Sequence, residues 1–496
     1  MRWAGAGTPW RRPPLWLIVI AAGYLALPLI LFMVTWLDAV TYPALLLLLG
    51  AMAVGVRSLA GRPGAVKGWS CAVAVLAGCG LVELSGVLGS PFTMKVDWAK
   101  HAAITNTLSG TAWPTPLPDG GVLRYYSGFY LVPAAGARLL DTDPRLLLAI
   151  WFAIGMAIGL ALLVGTLPFQ LAAPALLVFL LTSGWDSVGC LLTGEIQCSS
   201  VHQEGWSGGI PVNAVVTGVL WRPSQILPAL ILVPLVMTLR SSRKAMWLLV
   251  PLLVSCIYWA PFVVLGLAPL VLHGVVPVIR SRDWRGLVKD WLVPFLLLSP
   301  AALLLVVYLH AGAAQIPLTF LWSYPTATIH PWSFAWGLVI LIEILPLVIL
   351  PALSRGGITG VHRLVLVSTC LFLLIVYGAY SDLTMNATLP FVVLFGWETA
   401  YLASQLLVGR REVFSSPGTP AGRTTKTSIL VGRTAVALLV FLGAQTAIVE
   451  VGTSLSTRPF IDWSACTVRS VCMRADLRYQ YEAPLEDFPP WFLRKV

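Results

Sequence analysis

The sequence predicts an all-α, polytopic integral membrane protein with its early loops outside the membrane, and three observations carry the membrane part. Only 11% of the 496 residues are charged and 58% are hydrophobic, with a mean hydropathy of +0.84. A soluble globular chain carries about 25% charged residues. Apolar stretches of about 17–25 residues, the length that takes a helix across a hydrocarbon core, recur from end to end. Cleanly alternating ten-residue segments are absent, which argues against a β-barrel.

Taken in order, the spans fall at roughly 15–37, 42–57, 68–89, 145–166, 171–184, 223–239, 245–258, 260–279, 291–311, 332–353, 363–380, 388–408 and 434–452, about thirteen helices. The N-terminal segment (Arg2, Arg11, Arg12, then an apolar run from Leu15) resembles a signal peptide at first sight. The run outlasts signal-peptide length and lacks a small-residue cleavage site, so it reads as the first span.

The formal net charge of +11 does not point to nucleic acid, because the basic residues sit in short loops between apolar runs. With the N-terminus in the cytoplasm, cytoplasmic loops hold Arg57, Arg62 and Lys67; Arg240, Arg243 and Lys244; Arg280, Arg282, Arg285 and Lys289; and Arg355 and Arg363. A Gly/Thr/Pro-rich connector at about 410–433 holds Arg410, Arg411, Arg423, Lys426 and Arg433. This is the positive-inside pattern, and it predicts a multi-pass plasma-membrane protein with its C-terminus outside. The tail carries several Arg residues yet falls outside, which long tails tolerate. The chain thus divides into a membrane domain over 1–452, with external loops at about 90–143 and 185–222, and an external tail over 453–496.

Cys190 and Cys198 share one external loop and Cys466 and Cys472 share the tail, whereas Cys71, Cys79, Cys256 and Cys370 lie inside spans. Pairs on the oxidising side suit two small disulfides; unpaired apolar cysteines are the alternative.

The first external loop concentrates the chemistry. If Trp98–Leu108 is helical, Asp97, Lys100 and His101 share one face, because i, i+3 and i+4 are neighbours. A carboxylate beside cations can act as a general base while the cations hold an anionic leaving group. Alternatively Asp97 only caps the helix, although position 100 is Lys, not the Glu or Gln of a capping box.

Asp97-x-x-x-His101, Trp113-Pro114, Tyr125-Tyr126-x-Gly128 and Pro133-Ala134, in that order through a first large external loop, resemble the GT-C-type membrane glycosyltransferases. Tyr380-Ser-Asp382-Leu-Thr-Met385-Asn386, followed by Pro390, is similar to the Asp, Met, basic residue and Pro that many such enzymes carry at the outer end of a late span. Here Asn386 stands where Arg is expected. Trp221-Arg222-Pro223-Ser-Gln225 opens the sixth span.

The resemblance implies a polyprenyl-phosphate sugar donor, a lipid, glycan or protein acceptor, and Asp97 as catalytic base. The placement of the basic residues gives no nucleic-acid partner; no cofactor is indicated, and a divalent metal stays open. Lys100, His101, Arg124 and Arg222 are the candidates to hold the departing phosphate, with interfacial snorkelling the alternative for Arg124 and for Arg222 taken singly. Arg offers a bidentate fork and Lys a point charge. Tyr125, Tyr126, Asp382 and Glu83 complete the expected substrate contacts.

Glu83, Glu343 and Glu398 fall within spans, where ionisable groups are costly and often functional. Asp38, in a short external turn, is a further acidic candidate or a turn residue. His202 and Glu204 form a His-x-Glu pair without further ligands at metal spacing. The glycine-rich loop 184–209 reads as a lid. Trp113, Trp185, Trp206 and Trp322 read as interfacial anchors or sugar-stacking surfaces. The rival functions are a secondary transporter working through the intramembrane carboxylates, a polysaccharide polymerase or ligase, and a membrane scaffold. A transporter would place its polar site near the midplane on broken helices.

Overall fold

The structure, a computed structural model, describes residues 9–61, 64, 66–89, 91–117, 120–194, 203–207, 210–240, 242–312, 318–323, 332–354, 357–378, 381–408, 426–455, 463, 466–468 and 481–494. The chain begins with α1 (Leu15–Thr35), α2 (Tyr42–Leu59) and α3 (Gly68–Leu84). The predicted first loop then folds into α4 (Trp98–Gly110), β1 (Gly121–Leu123) and α5 (Leu131–Leu140). Next come α6 (Pro144–Val164), α7 (Phe169–Leu181), α8 (Asp186–Thr193), α9 (Val215–Trp221), α10 (Pro223–Leu239), α11 (Met246–Trp259), α12 (Pro261–His273), α13 (Val276–Arg280) and α14 (Trp284–Leu287). The rest comprises α15 (Val293–His310), β2 (Leu318–Phe320), α16 (Trp332–Val339), α17 (Leu345–Leu353), α18 (Gly360–Phe372), β3 (Ile375–Tyr377), α19 (Asp382–Ala387), α20 (Leu389–Leu407), α21 (Lys426–Ser454) and β4 (Glu482–Pro484).

Among the described residues, eight helical segments are long and apolar enough to cross a membrane: 15–35, 39–59, 144–164, 169–193, 261–280, 284–310, 332–353 and 436–454. Five further apolar helices, α3, α5, α10, α11 and α18, are shorter. The protein is therefore a helical, membrane-embedded molecule. α10 and α20 are buried almost all round, as a helix apolar on every face must be, and they form the centre. α15 lies at the periphery and exposes Leu296, Leu303 and Val306, the surface that lipid covers.

Two of the expected spans need correction. The span expected over 363–380 is helical only to Phe372. Ile375–Tyr377 then turns into β3, paired antiparallel with β2. A short apolar run rich in β-branched and aromatic residues has no periodicity that separates helix from strand. The helix expected over 68–89 stops at Leu84. The lid expected over 184–209 includes α8 and a 3₁₀ turn at Gln203–Ser207. The connector at about 410–433 falls outside the described residues up to 425, and the chain is helical from Lys426.

The tail packs onto the first loop. β4 pairs antiparallel with β1, Asp38 N–H donates to the Phe492 carbonyl at 3.0 Å, and Asn106 Nδ2 donates to the Cys466 carbonyl at 3.0 Å. Asp38 also caps its own turn by accepting from Val40 N–H at 3.1 Å. Cys190 and Cys466 each take part in a disulfide, while Cys71, Cys79, Cys256 and Cys370 are free. Cys198 and Cys472 lie outside the described residues.

The deep carboxylates are tied to neighbouring helices. Glu343 sits in a π-turn between α16 and α17. Trp206 Nε1 donates to Glu343 Oε1 at 2.8 Å and to Asp186 Oδ1 at 3.1 Å. Thr446 Oγ1 donates to Asp186 Oδ2 at 2.5 Å. Gly184 permits this approach, since a Cβ there would meet Glu343 Oε2 at 1.7 Å and the Glu343 Cα at 2.8 Å. Gly184→Ala is expected to destabilise by about 1–3 kcal/mol through overpacking. The thermal midpoint in detergent measures it, and an unchanged midpoint would mean that the helices separate freely. Glu398 accepts from Trp10 Nε1 at 2.6 Å and lies 3.0 Å from His362 Nε2.

Candidate active site

Asp97 stands at the N-cap position of α4, yet its side chain makes no capping hydrogen bond. The chain enters α4 through a tight turn in which Trp98 N–H donates to the Lys95 carbonyl (2.9 Å), Ala99 N–H to Val96 (3.1 Å) and Lys100 N–H to Asp97 (3.1 Å). Those carbonyls satisfy the N–H groups that a cap serves, so the carboxylate is not spent on the helix. Asp97 Oδ2 lies 3.7 Å from Lys100 Nζ, and the carboxylate side chain is 37% exposed.

Tyr125 and Tyr126 follow β1 with ring centroids 3.9 Å apart, and Tyr481 from the tail lies 4.9 Å from Tyr125. The tail reaches this position because Arg124 N–H donates to the Tyr481 carbonyl at 2.8 Å, next to the β1–β4 pair. Gly128 is required by close approach, since a Cβ there would meet the Trp259 ring at 2.5 Å.

Arg222 occupies the break between α9 and α10, with φ −139° and ψ 60°. It is buried (7% exposed), and its Nη1 donates to Asn386 Oδ1 at 3.2 Å on α19. Among the described residues no carboxylate forms an ion pair with it; the ion pairs there are Lys95–Glu450, Lys100–Asp97 and His362–Glu398. Asn386, at the position where the resemblance led us to expect Arg, thus orients an arginine from another segment.

Asp382 opens α19. Burial pushes its carboxyl above the usual carboxylate range, Lys100 and Arg222 pull it back, and Asp97 pushes it up again. Burial and then the Asp382 charge raise the Tyr126 hydroxyl, while Arg222 opposes them. Asp97, Lys100, Tyr126, Arg222 and Asp382 therefore share one electrostatic neighbourhood. Glu83 lies half-buried at the end of α3.

His101 does not face this group. It is fully buried, with Nδ1 2.7 Å from the Tyr130 hydroxyl and Nε2 3.0 Å from the Trp221 carbonyl. A carbonyl only accepts, so Nε2 carries the proton and Nδ1 accepts from tyrosine. Both nitrogens are committed, which corrects the expectation of a phosphate contact. Burial, followed by the Lys100 charge, holds His101 down to about 3, against an ordinary 6.5. Between these values the unfolded chain binds a proton that the folded one refuses, so stability falls as pH drops from about 6.5 toward 3. His101→Gln is expected to flatten that slope. Thermal midpoints of both proteins from pH 7 to 4.5 measure it, and parallel slopes would contradict it.

Arg124 Nη1 donates to the Leu309 carbonyl at 3.0 Å, which aims the guanidinium at the end of α15. Trp113 Nε1 donates to the Leu108 carbonyl at 2.8 Å, and Arg138 covers its ring at 5.0 Å. Trp206 is fully buried, whereas Trp322 is 51% exposed and stacks on Phe320 at 4.5 Å. Glu204 accepts from Ala214 N–H at 2.7 Å; His202 and Tyr380 lie outside the described residues. Among the described residues no three His, Cys, Asp or Glu side chains converge as a metal site.

Tyr481, Lys95 and Glu450 were not singled out from sequence. For Glu450 the signal was present, as an ionisable residue within the predicted span 434–452. For Tyr481 there was none, because only pairing across the whole chain brings it to the site.

The arrangement joins an accessible carboxylate, a neighbouring ammonium and a buried guanidinium with a neutral partner. It can take a proton from a hydroxyl and hold an anion beside it. No protein-family model matches the chain, and no curated protein matches it.

Proposed function

We propose that the protein is a membrane glycosyltransferase of the GT-C type, which moves a sugar from a polyprenyl phosphate to an acceptor outside the cytoplasm. The observation that carries this reading is Asp97, a partly exposed carboxylate that does not cap α4 and lies beside Lys100, with Lys100, buried Arg222 and Asp97 itself all acting on Asp382. In the proposed step, Asp97 takes the proton of an acceptor hydroxyl. The resulting oxygen attacks the anomeric carbon, and the bond from that carbon to the phosphate oxygen breaks. Polyprenyl phosphate leaves as an anion, stabilised by the Arg222 fork and the Lys100 charge. Asp382 offers hydrogen bonds to sugar hydroxyls, and Tyr125, Tyr126 and Tyr481 provide an aromatic wall.

In this reading the helices make about thirteen crossings, with the N-terminus in the cytoplasm and the Asp97 site and tail outside. The loop charges support that orientation, as do the disulfides in which Cys190 and Cys466 each take part, since disulfides persist in oxidising compartments. Nucleotide sugars are cytoplasmic, so an enzyme working outside needs a donor that crosses the bilayer already activated.

Against the transporter reading, Glu343 and Glu398 make hydrogen bonds or ion pairs with side chains of other segments. The test is transfer of radiolabelled sugar from a panel of polyprenyl-phosphate donors in membranes that express the protein. Transfer above that of control membranes is expected. None from any donor would abandon this reading for the transporter one.

A further inference from the structure

Glu450, near the end of α21, touches two segments of the site from behind. Its Oε2 lies 3.0 Å from Lys95 Nζ and accepts from Trp221 Nε1 at 2.7 Å. Lys95 Nζ also donates to the Glu450 carbonyl at 2.7 Å and to Thr453 Oγ1, and it lies 5.7 Å from the centre of the Trp221 ring. One turn along, the Ser454 carbonyl accepts from Thr93 N–H at 2.7 Å and from Thr93 Oγ1 at 2.9 Å. The pair is enclosed, with side chains 6% and 0% exposed.

Lys95 lies two residues before Asp97, and its carbonyl starts the turn that presents Asp97. Trp221 is the residue before Arg222. α4 and α9 also meet directly, through Trp98 Nε1 to the Leu220 carbonyl (2.8 Å) and His101 Nε2 to the Trp221 carbonyl (3.0 Å). A buried ion pair gains little net stability over an apolar pair of the same volume. What this one supplies is a fixed distance between two segments far apart in sequence.

We propose that Glu450 is a positioning residue, which sets the Asp97 carboxylate and the Arg222 guanidinium at their working separation. The inference rests on the transferase reading and adds a residue to it that touches no substrate. Displacement of a base by about 1 Å costs on the order of 10²-fold in rate. Glu450→Gln keeps an oxygen for Trp221 but loses the charge that holds Lys95.

The experiment measures kcat per bound polyprenyl phosphate, so that misfolded protein is not counted, for wild type, Glu450→Gln, Lys95→Met and the double variant. Each single variant is expected to lower this kcat by about 10²-fold with polyprenyl-phosphate affinity within about threefold, and the double variant to lower it no further than either single one. If Glu450→Gln fails to bind polyprenyl phosphate at all, Lys95→Met decides, because it leaves the Trp221 bond to Glu450 in place. A kcat within twofold of wild type, or losses that multiply in the double variant, would overturn the inference. Transfer by wild type that Asp97→Asn retains would instead overturn the assignment of the base, and no transfer by wild type would overturn the reading and this inference together.

Discussion

Asp97→Asn is expected to lower sugar transfer by about 10²–10⁴-fold, the range over which a positioned general base acts, and to leave the protein folded. The two halves of this expectation rest on different observations. Loss of rate follows because the amide has the shape of the carboxylate and cannot take the acceptor proton. Retention of fold follows because Asp97 makes no capping bond to α4. Its described ion pair, to Lys100 at 3.7 Å, is partly exposed, and exposed pairs contribute only about 0–1 kcal/mol. The thermal midpoint should therefore move little, and binding of polyprenyl phosphate should persist. If transfer survives in a well-folded variant, the base lies elsewhere; if the midpoint collapses, Asp97 has a structural duty that its geometry does not reveal.

Arg222→Gln is the second large effect. A hydrogen bond to a charged group contributes about 1.5–3 kcal/mol, and a fork to phosphate makes two such bonds. With 1.4 kcal/mol per factor of ten, loss of both bonds is expected to lower kcat/KM for the lipid donor by about 10²–10⁴-fold. Inhibition by free polyprenyl phosphate should weaken in parallel. Gln is two bonds shorter than Arg and gives up the Nη1 bond to Asn386, so the thermal midpoint is measured alongside the kinetics. Arg222→Lys should recover part of the loss, as a point charge without the fork. Donor kinetics unchanged by Arg222→Gln would move the phosphate toward Lys100 or Arg124.

How much of this was legible in the sequence varies with the range of the interactions involved. α1 and α6 were readable because a long apolar run bounded by polar residues leaves few alternatives to a helix. The end of α18 was not, because Ile375–Tyr377 continues the apolar run and only its pairing with Leu318–Phe320 makes it a strand. Within the site, the spacing of Asp97 and Lys100 correctly put them side by side. The same spacing misled for His101, whose orientation is decided by Tyr130, 29 residues away, and by Trp221, 120 residues away. Asn386 looked like the loss of a cation, and only the fold brings Arg222 to it from 164 residues away.

The most direct test of the central claim is a single-turnover reaction with purified, reconstituted protein and one defined polyprenyl-phosphate sugar. The account predicts that sugar appears on the acceptor as polyprenyl phosphate is released one for one, in wild type and not in Asp97→Asn. Release of polyprenyl phosphate without glycosylated acceptor, or equal transfer by both proteins, would contradict it.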